Sequence, residues 1–308
     1  MKRAIFALSI LAMAAGTSAT GNTGSEATDD VICNAPDGWQ EVAAEEPAFV
    51  VFGELHGTRE GPAFVGNLAC ALSSKGERVL LAIEHNAFQD PALQKAWAAP
   101  HAQFTIDLGS TGWAGRNDGV GSEAMFAMLV GLHALKERGL PISVVAFNGA
   151  RDEEQFQRFA HLPGQGGHEA AQAENIAEAA AAADYDRVLV LVGSFHARKD
   201  VAQMGPDEVE PMARRLARSG RTISLEMAFG AGSSWGCRLK PGFRPAPGEP
   251  LLEGSMDCSN QESQGNADYS RAPFIELGGS LGERSFGEFD GFYWLGPIHG
   301  SPPAIPAN

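Results

Sequence analysis

The stretch Ala48-Phe49-Val50-Val51-Phe52-Gly53-Glu54-Leu55-His56 decides the fold class, because its pattern returns as Arg187-Val188-Leu189-Val190-Leu191-Val192-Gly193-Ser194-Phe195-His196. Both runs are continuously apolar rather than alternating, the pattern of a strand buried on both faces. A glycine closes each run and lets the chain turn sharply, so the next side chains project from the strand's carboxyl end. In an open parallel α/β sheet, ligands bind in the crevice beyond those ends. His56 and His196 are therefore expected to face one crevice.

Working outward, strand and helix signals alternate. Strands are expected at 48–53, 78–84, 142–147, 187–193 and 221–226, with helices at about 62–74, 90–98, 121–138, 168–182 and 206–219. Alternation of this kind implies right-handed crossovers and a sheet covered on both faces. The expected fold is α/β, a three-layer αβα sandwich with a mainly parallel sheet, plus an irregular disulfide-stapled C-terminal segment. Residues 230–269 are rich in Gly, Pro, Ser and Asn with little periodicity, and read as an irregular insertion in a single domain spanning 33–300. Residues 273–277 suit one more strand, and the aromatics of 286–295 are expected to cover the sheet. Residues 301–308 read as a tail.

The amino terminus reads as an export signal over 1–19: Lys2 and Arg3, a short apolar run, then small residues. That run is short of the roughly 20 residues that span a bilayer. A small, polar and acidic leader follows at 20–32. A periplasmic or secreted chain is expected, without a stable membrane span. The formal charge of −15 lacks the basic footprint expected for nucleic acid or anionic lipid. The expected partner is a small-molecule or peptide substrate, and the oligomeric state is left open.

Four cysteines, Cys33, Cys70, Cys237 and Cys258, suit an oxidising compartment. Of the three pairings open to them, Cys237–Cys258 and Cys33–Cys70 are favoured. The first would staple the irregular region, and the second would tie the leader to the helix at 62–74. No Cys-x-x-Cys or Cys/His spacing suggests a zinc site.

The chemistry-bearing residues gather at the strand ends. Glu54, His56 and Glu60 follow the first strand, Glu84 and His85 end the second, and His196, Arg198 and Lys199 follow the fourth. Histidine and carboxylates within one turn can hold a divalent metal or run acid–base chemistry on water. The first motif alone could equally be a helix cap and a hydrogen-bonded histidine. Three strands delivering titratable groups to one edge is instead the mark of an active site. Glu54, His56, Glu84 and His196 are the catalytic candidates, and Glu54, His56 and His196 are the candidate metal ligands. Glu60, His85, Arg116, Asp118, Arg198 and Lys199 are secondary candidates. Arg116 and Asp118 belong to the glycine-rich loop Gly112-Trp113-Ala114-Gly115-Arg116-Asn117-Asp118-Gly119-Val120-Gly121-Ser122-Glu123, which enters a helix with Ser122 in the capping position.

Other signals are set aside. Gly278-Gly279-Ser280-Leu281-Gly282 fits the serine-hydrolase elbow, with Asp290 and His299 following in order, but no helix pattern comes after it. His168-Glu169 lacks the second histidine of a zinc-protease helix and reads as a solvated helix start. His133 reads as a satisfied core or boundary histidine.

With Gly53-Glu54-Leu55-His56-Gly57, Ile83-Glu84-His85 and Gly193-Ser194-Phe195-His196-Ala197-Arg198-Lys199, the chain resembles a superfamily. It is the one containing erythromycin-esterase-like enzymes, ChaN-type haem-binding uptake proteins and the Tiki/TraB proteins. The resemblance runs from about Ala48 to Glu226. Asp118-Gly119, Ser122-Glu123-Ala124-Met125 and Glu174-Asn175-Ile176 support it. It implies an α/β fold whose crevice is built from these motifs, with the exported ChaN-like branch nearest. Ester hydrolysis, metal-dependent peptide cleavage and haem binding all occur among its members. None of the tyrosines Tyr185, Tyr269 and Tyr293 lies in the motifs. The leading expectation is an exported hydrolase in which His56, assisted by Glu54, activates water directly or on a divalent metal, with His196 and Glu84 completing the metal shell or stabilising the oxyanion. The alternative is a haem- or iron-binding protein of uptake using the same crevice, walled by Phe195, Phe88 and Trp113. A third reading is a binding protein with a relic site.

Overall fold

The computed structural model describes residues 33–243, 254–281 and 287–306. The expected export signal at 1–19, the expected leader at 20–32 and part of the Ser280 elbow motif lie outside the described residues. From the amino end the elements are α1 (Trp39–Ala44), β1 (Phe49–Glu54), α2 (Glu60–Ser73), β2 (Val79–Asn86), α3 (Asp90–Trp97), α4 (His101–Gly109) and α5 (Glu123–Glu137). There follow β3 (Ile142–Asn148), α6 (Glu153–Phe159), α7 (Gly166–Ala181), β4 (Arg187–Gly193), β5 (Ala202–Met204), β6 (Asp207–Val209) and α8 (Met212–Leu216). The last are β7 (Thr222–Gly230), β8 (Gly232–Leu239), β9 (Met256–Ser263), β10 (Phe274–Leu277) and β11 (Gly291–Pro297).

Seven strands form one sheet in the order β10-β11-β7-β1-β4-β2-β3. All neighbours run parallel except β10 and β11, which are antiparallel at one edge. Successive residues of a strand feed opposite layers. Val50 and Phe52 pack with Phe64, Leu68, Met125 and Leu129 of α2 and α5, whereas Phe49 and Val51 pack with Ile176, Met212 and Leu216 of α7 and α8. That two-sided burial is why the strand sequences are continuously apolar. The three-layer α/β expectation holds.

Three local expectations differ. The helix expected over 206–219 shrinks to α8, because β5 and β6 form a hairpin before it. Gly205, at φ +61°, makes the hairpin turn in the left-handed region open to glycine. The aromatics near 291–297 do not cover the sheet but enter it as β11, parallel to β7. Phe286 itself lies outside the described residues. Within 230–269, β8 and β9 pair as an antiparallel ribbon in which Cys237 faces Cys258. Both expected disulfides are present, Cys33–Cys70 and Cys237–Cys258. Residues 301–306 pack onto the domain: Ser301 Oγ accepts from Ala124 N at 2.9 Å, and Ala304 N donates to Gly121 O at 2.9 Å. No described helix is long and apolar enough to cross a membrane.

Candidate active site

The three strands that carry the motifs stand in the order β1-β4-β2, so their carboxyl ends adjoin. Glu54 is the register partner of Gly193, and Ser194 donates to Glu54 O through N (3.0 Å) and Oγ (3.1 Å). The chain leaving β4 is thus stitched to the chain leaving β1. Gly193 sits on the middle strand, where a Cβ would stand 2.7 Å from His56 Nε2. Without that side chain, the His56 ring from β1 and the Glu84 carboxylate from β2 meet across the strand between them.

The result is an alternating row of carboxylates and imidazoles. Glu54 Oε1 lies 2.8 Å from His56 Nδ1, and His56 Nε2 lies 3.2 Å from Glu84 Oε2. The other oxygen of Glu84 stands 3.6 Å from His196 Nε2, and His196 Nδ1 lies 2.7 Å from Glu169 Oε1. Glu84 Oε2 also accepts from Gly193 N at 2.7 Å. Glu169, fully buried, accepts from Met212 N through Oε2 at 2.8 Å. The second carboxylate oxygen of Glu169 is therefore locked by α8, which fixes the orientation of the oxygen that holds His196.

Electrostatics follow from this order. Burial alone would lower the proton affinity of His56, but the Glu84 charge and the Glu54 hydrogen bond raise its pKa well above the usual value. Burial would raise the Glu84 pKa, yet the two flanking imidazoles and the Gly193 amide bring it down to about 2. His196 is also raised: burial opposes this, but the Glu169 hydrogen bond and the charges of Glu84 and Glu169 outweigh it. Glu54 goes up, because burial exceeds the relief from His56, and its Oε2 has no hydrogen-bond partner among the described residues. Tyr293 closes the floor, donating to Gly53 O at 3.1 Å.

The structure thus brings Glu54, His56, Glu84 and His196 together. The secondary candidates are engaged elsewhere. Glu60 accepts from His299 N at 2.9 Å and pairs with its ring at 2.8 Å. His85 stacks on Trp113 with ring centres 5.0 Å apart, its Nε2 bonded to Thr111 O. Arg116 reaches His85 Nδ1 at 3.4 Å and donates to Asp118, which caps Gly121 N. Arg198 pairs with Asp200 and Glu288, and Lys199 with Asp290. The serine-elbow partners are likewise apart, since Asp290 serves Lys199 and His299 serves Glu60. His133 is buried with Nε2 3.1 Å from Trp97 O, a satisfied core histidine as expected.

Glu169 is the residue that the sequence reading missed. Read as part of a solvated helix start, it is instead fully buried on α7. Glu169, Gln172, Ala173 and Ile176 are all buried, and their spacing is that of one helix face. That periodicity was the available signal.

Glu54, His56 and His196 do not converge on one point as metal ligands. Glu54 holds Nδ1 of His56, on the opposite side of the ring from the Nε2 that faces Glu84 and the second histidine. Among the described residues no group of three or more His, Cys, Asp or Glu is arranged to hold a metal ion. Of the suggested haem walls, Trp113 is buried against His85, Phe88 is exposed after β2, and Phe195 adjoins His196. Tyr293 lies beneath Gly53, and Tyr269 stacks on Phe292.

No family model matches the sequence, and no curated protein matches it. Solved structures do. An erythromycin esterase in its open conformation is 11% identical, with 86% of this chain and 94% of that chain covered at a TM-score of 0.57. A Bacillus cereus protein is 10% identical, with 86% and 92% covered and a TM-score of 0.52. The haem-binding ChaN of Campylobacter jejuni is 12% identical, with 62% and 86% covered and a TM-score of 0.37. The fold of this chain is the one seen in the erythromycin esterase and the Bacillus cereus protein.

Proposed function

We propose that the chain is an exported hydrolase of esters in which His196 is the general base and His56, as an imidazolium, stabilises the developing oxyanion. The observation that carries this reading is the placement of His196. Its Nδ1 is held by a fully buried carboxylate, while its Nε2 is 3.6 Å from Glu84, beyond hydrogen-bond length. A base must present one nitrogen to water and have the other fixed. His56 has both ring nitrogens beside carboxylates, which favours its protonated form and suits it to act on the oxyanion as a fixed positive charge, its two N–H groups being taken by Glu54 and Glu84. The roles of the two histidines are thus exchanged relative to the sequence expectation. That one of the fold neighbours is an erythromycin esterase is in keeping with ester chemistry.

In the proposed reaction, water gives a proton to His196 Nε2 as its oxygen bonds to the ester carbonyl carbon. The carbonyl π pair moves to oxygen, beside the His56 imidazolium. Collapse of the adduct breaks the bond to the alkoxy group, which leaves with the proton from His196. Glu84 stays anionic between the two rings and holds both in place. Such base catalysis contributes about 10²–10⁴-fold, and charge stabilisation in a water-poor site adds about 10²–10³-fold.

The test is hydrolysis of p-nitrophenyl esters by the purified chain and by His196→Ala and His56→Ala variants. Loss of at least about 10²-fold in kcat for each, with thermal melts preserved, is the expected result. Full activity in both folded variants would sink the reading.

A further inference from the structure

Beside His196, residues of α6, the segment after it and the start of α7 border an open cavity of about 550 Å³. Ala150, Phe156, Phe159 and Leu162 line it together with His168 and His196. Among the described lining residues there is no Asp, Glu, Lys or Arg. The Gln172 amide nitrogen donates to Asn148 Oδ1 at 2.9 Å and lies 2.8 Å from His168 Nε2. With its two hydrogens directed to these two acceptors, it leaves His168 uncharged. Phe156 is the conspicuous member. It is 57% exposed on a helix whose neighbouring surface positions are Glu153, Glu154, Gln157 and Arg158. Three of those polar neighbours are spent on one another and on α7: Gln157 bonds Glu153, and Arg158 bonds Glu174. A large aromatic left in water at the mouth of a concave, uncharged cavity is the usual sign of a surface that a ligand covers.

We infer that this cavity seats the uncharged apolar acyl or aryl part of the substrate, placing the carboxyl carbon at His196. This rests on the hydrolase reading and narrows it to esters of medium-chain or aromatic acids. Apart from His196, whose part is in the reaction, the polar side chains on these walls are those of Gln165 and His168, so a charged acyl group would find no carboxylate, ammonium or guanidinium among the described lining residues to pair with.

The experiment compares kcat/KM for p-nitrophenyl acetate, butyrate and octanoate, with wild type and an Ala160→Trp variant. Ala160 lines the cavity on its exposed side, so the indole narrows it with little demand on the core. The expected result is a rise on the order of tenfold per two added methylenes, and an octanoate-to-acetate ratio that collapses at least tenfold in the variant. A flat chain-length series, or a ratio that Ala160→Trp leaves alone, overturns the inference while leaving the hydrolase reading standing. Should no ester be turned over, the hydrolase reading falls, and ligand-observed NMR with 2-octanone decides the cavity alone. Binding abolished by Ala160→Trp keeps it as an apolar site, and no binding removes it.

Discussion

A Cβ on Gly193 would lie 2.7 Å from His56 Nε2 and 3.5 Å from Glu84 Oε2. The middle strand of the site is thus lowered so that groups from its two neighbours can touch. Gly193→Ala should push the imidazole and the carboxylate apart while leaving the backbone path of β4 allowed. The expected outcome is a loss of about 10²-fold or more in kcat for ester hydrolysis, with a destabilisation of only about 1–3 kcal/mol from the added methyl. Rate assays beside urea titrations check it. A variant as active as wild type would mean that the His56–Glu84 contact is dispensable.

Glu169 gives a prediction with a sign. The base form of His196 appears as pH rises through its raised pKa, so kcat/KM should climb there. It should fall again at higher pH, where His56, raised well above the ordinary value, loses its proton. Glu169→Gln removes the anion that holds the His196 proton, so the rising limb must move to lower pH while the falling limb stays. The plateau should drop by about 10²–10⁴-fold as the ring loses its orientation. A pH–rate profile shows both. An unmoved rising limb would separate Glu169 from the base.

Why these groups were legible in sequence is a matter of distance along the chain. Glu54, His56, Glu84 and His196 each stand within four residues of the last residue of a continuous apolar run, so strand ends announced them. Glu169 had no such marker. Its proximity to His196 arises from how α7 packs against β3 and α8, and only its helical phase with Ala173 and Ile176 betrayed its burial. β8 and β9 were hidden for a similar reason. Their burial alternates weakly along a largely solvent-facing ribbon, so glycine, serine and asparagine dominate where apolar residues would have signalled strands. β11 was misplaced because its aromatics could serve either a covering segment or a buried strand, and only pairing with β7 decides between them.

The two disulfides should differ in their weight on stability. Cys33–Cys70 closes a separation of 37 residues and Cys237–Cys258 one of 21. The chain-entropy model then assigns about 4 kcal/mol to the first and about 3 kcal/mol to the second. The second also backs the ribbon that grips the site loops, since Trp235 N donates to Gly57 O at 2.8 Å and Trp235 Nε1 to Asn117 O at 3.0 Å. Replacing Cys33 and Cys70 by serine should therefore lower the urea midpoint more, while replacing Cys237 and Cys258 should lower kcat more. The reverse order in either measurement would contradict the assignment.

Glu54 and Glu84 occupy opposite sides of one imidazole ring, which leaves His56 no free nitrogen for an ion in this arrangement. In the proposed chemistry the moving proton is carried by His196, while Glu54, Glu84 and Glu169 hold the two imidazoles in place. Dialysis against EDTA should accordingly leave the esterase rate within about twofold of the untreated protein, and added zinc should not raise it. A rate that falls with chelation and returns with a stoichiometric metal would instead require His56 to turn away from Glu84 and ligate. Haemin separates the uptake reading in the same preparation. The expected spectrum after gel filtration has no Soret band, and a band abolished by His196→Ala would move the site from hydrolysis to haem binding.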